Sequence, residues 1–183
     1  MKALIFLADG FEEIEAITPI DILRRAGIDV VTISITDSKI VTGAHHIDVI
    51  ADMFFSEAKI EDKDYLILPG GMPGTSNLMA HEELNKLVKK QVDNGKEIAA
   101  ICAAPSLLGK LGLLEGKEAI VYPGFEKNLT GARISNRSVV KCDNIITAKG
   151  LGVAIPFALK IVETIKGRAI ADKVKDALCL ENQ

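Results

Sequence analysis

Cysteine is scarce in this chain. Only Cys102, Cys142 and Cys179 occur among 183 residues, far apart and with no C-x-x-C pair. An odd, sparse set builds no disulfide framework and implies reduced thiols and a cytoplasmic location. Histidine is as rare. His45, His46 and His81 all precede Cys102 and share no recognised ligand spacing, so no metal is expected. Positive charge is not in excess, the net charge being −3, which argues against a nucleic-acid partner. No apolar run approaches the ~20 residues of a membrane helix, so no membrane is expected either. The opening MKALIFLADGFEE has no small-residue cleavage site, and acids follow its apolar segment at once. It reads as a first core strand and not as a signal peptide.

What is present suits an ordinary globule. Hydrophobic residues make up 48% and charged residues 26%, and a chain of this length buries about 70% of its extended surface without metals or disulfides. One domain over residues 1–183 is expected.

Apolar runs alternate with helical patterns. ALIFLA (3–8) is a continuous run, as in a strand buried on both faces. Ile14, Ile17, Leu23 and Ala26 follow at helical spacing, with Pro19 predicting a kink or a second start at Thr18. IDVVTISI and YLILPGG read as the next strands, with an extended excursion over 41–50 and an acid-rich connection between them. A long helix is expected from about Ser76 to Val92. EIAAIC is a strand, Ala104 to Leu111 a helix, EAIVY a strand, and SVVKCDNIITAKG a hairpin. Two helices close the chain. This order predicts an α/β sandwich with a mostly parallel sheet and a short antiparallel hairpin.

Ligands in such sheets sit beyond the carboxyl ends of the strands. Three features fall there: Asp9-Gly10 with its following acids, Pro69-Gly70-Gly71, and Cys102. A lone cysteine is more often a small buried hydrophobe than a reactive group, and Cys142 and Cys179 keep that reading. Cys102 differs because a strand-to-helix elbow lifts a side chain out of the sheet. The following helix end supplies N–H groups, that of Ala103 among them, which favour a thiolate. PGGMPG (69–74) contains neither G-x-G-x-x-G nor G-K-[ST]. It is a glycine-rich turn that lets backbone N–H groups point into the crevice, where they can hold an oxyanion or an oxidised sulfur. Glu12 and Glu13 complement a helix dipole. Glu15 can face the sheet end, stay protonated through lost solvation, and donate to a thiolate.

LADGFEEIEAITPIDILRRAGIDV, YLILPGG, AAICAAP and GLGVAIPFALKIVE, in that order, resemble the ThiJ/PfpI superfamily and its DJ-1-like branch. The resemblance runs from Lys2 to about Leu178. It implies a flavodoxin-like, three-layer sandwich that forms a homodimer and needs no cofactor. It also implies that Cys102 is the reactive cysteine, Glu15 its carboxyl partner, and Gly70 and Gly71 the backbone donors beside the sulfur. The branch is associated with stress protection, glyoxalase-like conversion of methylglyoxal, deglycation, and oxidation of the cysteine to a sulfinate. Tyr122-Pro123 stands where the family often has His-Pro. Ala103 stands where the protease and chaperone branches carry histidine, so a peptidase lacks its base. His45 lies in the excursion that in the family reaches the partner subunit's site, and Lys149 replaces a family arginine.

Two functions stay open. One is a slow, glutathione-independent enzyme for small 2-oxoaldehydes, with Cys102 as nucleophile and Glu15 as proton shuttle. The other is a redox sensor or chaperone-like interaction protein whose Cys102 is oxidised without turnover.

Overall fold

The structure, a computed structural model, describes residues 2–61 and 64–180. Asp62 and Lys63 of the acid-rich connection lie outside the described residues. In chain order the elements are β1 (Lys2–Leu7), α1 (Glu13–Arg25), β2 (Asp29–Ser34), β3 (Ile40–Thr42), β4 (Asp48–Ile50), β5 (Met53–Phe54), β6 (Tyr65–Leu68), α2 (Gly74–Ala80), α3 (Glu82–Asp93), β7 (Ile98–Ile101), α4 (Pro105–Lys110), β8 (Glu118–Ala119), β9 (Arg133–Ile134), β10 (Val139–Cys142), β11 (Ile145–Ala148), α5 (Ala154–Lys166) and α6 (Arg168–Ala177).

Among the described residues, seven strands form one sheet in the order β10-β11-β7-β6-β1-β2-β5. Every pair is parallel except β10 with β11. The continuous apolar run of β1 follows from its central place. Ile5 and Leu7 face the layer that holds Phe157 and Ile161 of α5, whereas Leu4 and Phe6 face that of Leu84 and Leu107. Burying each such side chain contributes about 1.5–3 kcal/mol, so neither face tolerates a polar residue. The order reverses between β1 and β6, and ligands bind at such a switch point.

Four elements differ from the sequence expectation. Helix α1 is one continuous helix across Pro19. The missing donor costs one backbone bond, and burial of Ala16, Ile20 and Leu23 beside α5 offsets it. That same face leaves Ile14 and Ile17 outward, 49% and 42% exposed, although their spacing suggested core. The long helix over 76–92 is two helices, because His81 stands between them with extended backbone and caps α3, its Nδ1 accepting from the Leu84 N–H at 3.1 Å. The strand EAIVY shrinks to Glu118–Ala119. Beyond it the chain peels away, the Ile120 N–H donating to Thr147 Oγ1 and the Tyr122 N–H to the Cys102 carbonyl. The excursion over 41–50 is an antiparallel hairpin of β3 and β4.

Candidate active site

Cys102 follows β7 directly and takes the left-handed conformation, φ +62°. A non-glycine residue pays about 1–3 kcal/mol to stay there, so its surroundings must hold it. They do so from both sides. The Cys102 N–H donates to the Ala148 carbonyl at 2.9 Å, and its own carbonyl accepts from the Tyr122 N–H at 2.8 Å. The elbow therefore needs no flanking glycine. The cysteine itself makes the turn and stays only partly buried above the sheet.

The β1–α1 loop closes over the same end. Gly10 donates to the Thr42 carbonyl, Glu12 to that of Gly70, and Gly74 to that of Gly10, at 2.8–3.0 Å. Gly71 has φ +88°, and a Cβ there would stand 2.3 Å from the Glu12 nitrogen. Only glycine permits this crossing.

Glu15 points inward from the first turns of α1 and is fully buried. Its Oε2 accepts from the Gly70 N–H at 3.1 Å. Its Oε1 is buried without a hydrogen-bond partner of good geometry among the described residues, although the Leu151 N–H is near enough to favour the charge. Burial pushes the Glu15 carboxyl up to about 7, against hydrogen bonds from Cys102 and Gly70. The Cys102 thiol is pushed up to about 12, by burial first and then by the charge and hydrogen bond of Glu15, while the Gly71 and Ala103 N–H groups favour its thiolate.

Two expectations change here. The Gly70 N–H is taken by Glu15, so Gly71 and Ala103 are the amides beside the sulfur. Cys102 is also not acidified as an independent thiol, because an ionised Glu15 opposes its charge. The two groups titrate as a pair holding one proton between them above neutrality. With that proton on Glu15, the carboxyl repels no thiolate and donates to it instead.

Tyr122 borders the pair on one side, its N–H bonded to the Cys102 carbonyl, and Lys149 lines the surface cleft that Tyr122 shares. A Cβ at Gly150 would lie 3.3 Å from the Tyr122 ring and 3.9 Å from Glu15 Oε1. His45 is on the other side and belongs to a second cluster. Its N–H donates to Glu13 Oε1 at 2.7 Å, its Nδ1 lies 2.9 Å from Glu13 Oε2, and Glu12 Oε2 is 3.6 Å away. The ligand atoms of Glu12, Glu13 and His45 fall within 4.8 Å of one another, a grouping that sequence spacing did not reveal. Burial opposes the Glu13 charge, but the His45 ring and the N–H groups of Glu13, His45 and Ile47 outweigh it and lower its pKa. Glu13 and Glu12 in turn hold the His45 pKa above its ordinary value. Glu13 is thus more than a dipole partner: it fastens the β3–β4 hairpin to α1.

The sequence and the fold that carry this arrangement match a known family. The model of the DJ-1/PfpI family covers residues 1–164. The chain belongs to the DJ-1/PfpI family. It is 39% identical over 98% of its length to protein DJ-1 homolog B of Arabidopsis thaliana, of which it spans 41%. It is 36% identical to the glutathione-independent glyoxalase DJR-1.2 of Caenorhabditis elegans, across 98% of this chain and 96% of that one. Oxidized DJ-1 of Toxoplasma gondii has the same fold, with a TM-score of 0.93, 36% identity and 99% coverage of both chains. Among the described residues no helix is long and apolar enough to cross a membrane.

Proposed function

We propose that this protein is a glutathione-independent glyoxalase acting on small 2-oxoaldehydes, with methylglyoxal converted to lactate. The observation that carries this reading is the Cys102–Glu15 pair, one sulfur beside one fully buried carboxyl, with the Gly71 and Ala103 amides directed at the sulfur. The glyoxalase named among the relatives supports it.

The Cys102 thiolate adds to the aldehyde carbon, forming a C–S bond, and the carbonyl oxygen takes the Glu15 proton to give a hemithioacetal. The Gly71 and Ala103 amides favour the passing alkoxide, each such donor supplying roughly 3 kcal/mol of barrier lowering. Glu15, now a carboxylate, removes the hydrogen from the former aldehyde carbon. The resulting enediol is reprotonated at the former ketone carbon, leaving a thioester. Water attacks, the C–S bond breaks, and the hydroxy acid departs with the thiolate restored. One carbon is oxidised and its neighbour reduced, so no external oxidant or cofactor enters. With Tyr122 in place of a histidine base, turnover is slow.

The test is lactate formation from methylglyoxal without glutathione, in wild type and in Cys102→Ala. Equal rates would end the nucleophile's role. A second reading has its own support, because a partly accessible cysteine beside two N–H groups can also hold a sulfinate. Peroxide titration with intact-protein mass spectrometry reads it: selective oxidation of Cys102 without aldehyde turnover favours a sensor. The partner best supported is a second copy of the chain, since Ile14 and Ile17 of α1 and Ile47 and Ile50 of the hairpin side stand exposed. Light scattering on Ile17→Glu, expected monomeric, tests that face. Three free thiols suit a reducing, cytoplasmic compartment.

A further inference from the structure

We propose that the cleft beside the Cys102–Glu15 pair receives the substrate's side group and selects 2-oxoaldehydes whose side group is a flat aromatic ring bearing an anion. This rests on the glyoxalase reading and deepens it.

Tyr122, Pro123, Lys149, Gly150, Leu151 and Val153 line this cleft, which has room for about 300 Å³. That is the lower end of small-molecule sites, and a methyl side group would leave most of it to water. The cleft adjoins the reacting atoms. Tyr122 is bonded through its N–H to the Cys102 carbonyl, and a Cβ on Gly150 would lie within 4 Å of both its ring and Glu15 Oε1. A side chain at position 150 would fill the space over the ring. Tyr122 remains 47% exposed and Leu151 50%, which gives a flat ring and an aliphatic group facing water on either side of a glycine floor. The Phe125 ring meets Tyr122 edge-on at 6.3 Å and 79° and braces its plane. Lys149 lines the same cleft and is exposed, which brings a cation to it. A ring on Tyr122 would have its aldehyde at Cys102 and its far edge toward that cation. The reaction keeps the same balance: an arylglyoxal and water give a mandelate, with the C–S bond formed and broken as above.

The experiment compares kcat/KM for methylglyoxal, phenylglyoxal and 4-carboxyphenylglyoxal on the full chain. Tyr122→Ala should lower the value for phenylglyoxal about fivefold more than that for methylglyoxal, the worth of one aromatic contact. Lys149→Gln should remove an advantage of about two- to fivefold that the carboxylated ring holds over the plain one, an advantage that high salt also erases. Ratios unmoved by both substitutions overturn the proposal while leaving the glyoxalase standing. If wild type turns over none of the three aldehydes, the glyoxalase reading falls. The cleft is then read by binding: 4-carboxymandelate should slow alkylation of Cys102 in wild type and not in Tyr122→Ala, and absence of that protection overturns the cleft as well.

Discussion

Gly70 donates its amide hydrogen to Glu15 Oε2 at 3.1 Å while lying against Cys102 so closely that a Cβ on it would stand 2.6 Å from the cysteine Cβ. The same Cβ would be 2.7 Å from Glu15 Oε2 and 2.9 Å from the Ile101 carbonyl. Two of these neighbours are fixed by backbone, so Gly70→Ala must move the strand end or expel the carboxyl. We expect a loss of about 1–3 kcal/mol of stability, as for overpacking elsewhere. The pairing of Cys102 with Glu15 should break in the same variant. Denaturant melts and the alkylation profile described next read both, and an alanine variant with a wild-type profile would contradict the close fit.

The pair should release its first proton near pH 7, where burial has placed the Glu15 carboxyl. Below that pH both groups are protonated and the sulfur is inert. Above it the pair carries one charge, and the nucleophile reading requires the sulfur to hold part of it. Iodoacetamide should therefore label Cys102 with a rate that steps up through about pH 7. Glu15→Gln removes the shared proton and that step with it. The thiol then titrates alone, below its value of about 12, because the opposing carboxylate charge is gone. A step near 7 that survives in Glu15→Gln would show that it belongs to another group.

Stability carries the same signature with a definite sign. The folded Glu15 value lies above the ordinary 4.5, so between the two the folded chain binds the proton more tightly than the unfolded chain. The contribution is complete below pH 4.5 and lost as pH rises through about 7. It amounts to something on the order of 3 kcal/mol for a shift of this size. Urea melts across that range should show wild type losing stability relative to Glu15→Gln as pH rises. Parallel curves would mean that Glu15 is not desolvated.

Much of this was legible in the sequence, for physical reasons. The runs 3–8, 65–68 and 98–101 are apolar throughout because both of their faces are buried, and such runs can be read without coordinates. The rule that strand ends meet at a switch point brought Asp9-Gly10 with its acids, Pro69-Gly70-Gly71 and Cys102 to one end of the sheet, whereas the approach of Glu15 to Cys102 was only allowed by its helical spacing and implied by the family resemblance. Which amide serves which atom did not follow, since Gly70 and Gly71 differ only in backbone direction. Glu13 was misread because its partners, His45 and Ile47, are joined to it by a hairpin whose placement no local pattern encodes. Ile14 and Ile17 misled for a related reason: periodicity finds an apolar face but not which of two neighbouring faces the core takes.

Cys102 stores backbone strain in the turn that presents its sulfur. At φ +62° a glycine is unstrained, whereas alanine keeps the strain and loses the sulfur. Cys102→Gly should therefore be about 1 kcal/mol more stable than Cys102→Ala, while both are inactive. Equal stabilities would indicate that the bonds to Ala148 and Tyr122 do not hold the elbow in this conformation.

Glu13 is the last residue whose removal has a sharp consequence. It is 5% exposed and accepts from the His45 N–H at 2.7 Å, the His45 ring at 2.9 Å and the Ile47 N–H at 3.4 Å. Its lowered pKa means that its contribution is present above pH 4.5 and lost as pH falls through the folded value. His45, with a raised pKa, contributes below pH 6.5 and loses its share as pH rises through the folded value. The hairpin is therefore held most firmly between these limits. In Glu13→Ala the two amides lose a charged acceptor, a kind of bond worth about 1.5–3 kcal/mol, so their hydrogen-exchange protection should fall at least tenfold. His45→Ala should cost less, because both backbone bonds to Glu13 remain. Ile47 and Ile50 ride on this segment and stand exposed, so association of two copies should weaken in Glu13→Ala along with the loss of protection. Unchanged exchange at His45 and Ile47 would mean that the ties between Gly10 and Thr42, and between Ala44 and Phe11, suffice to seat the hairpin without the carboxylate.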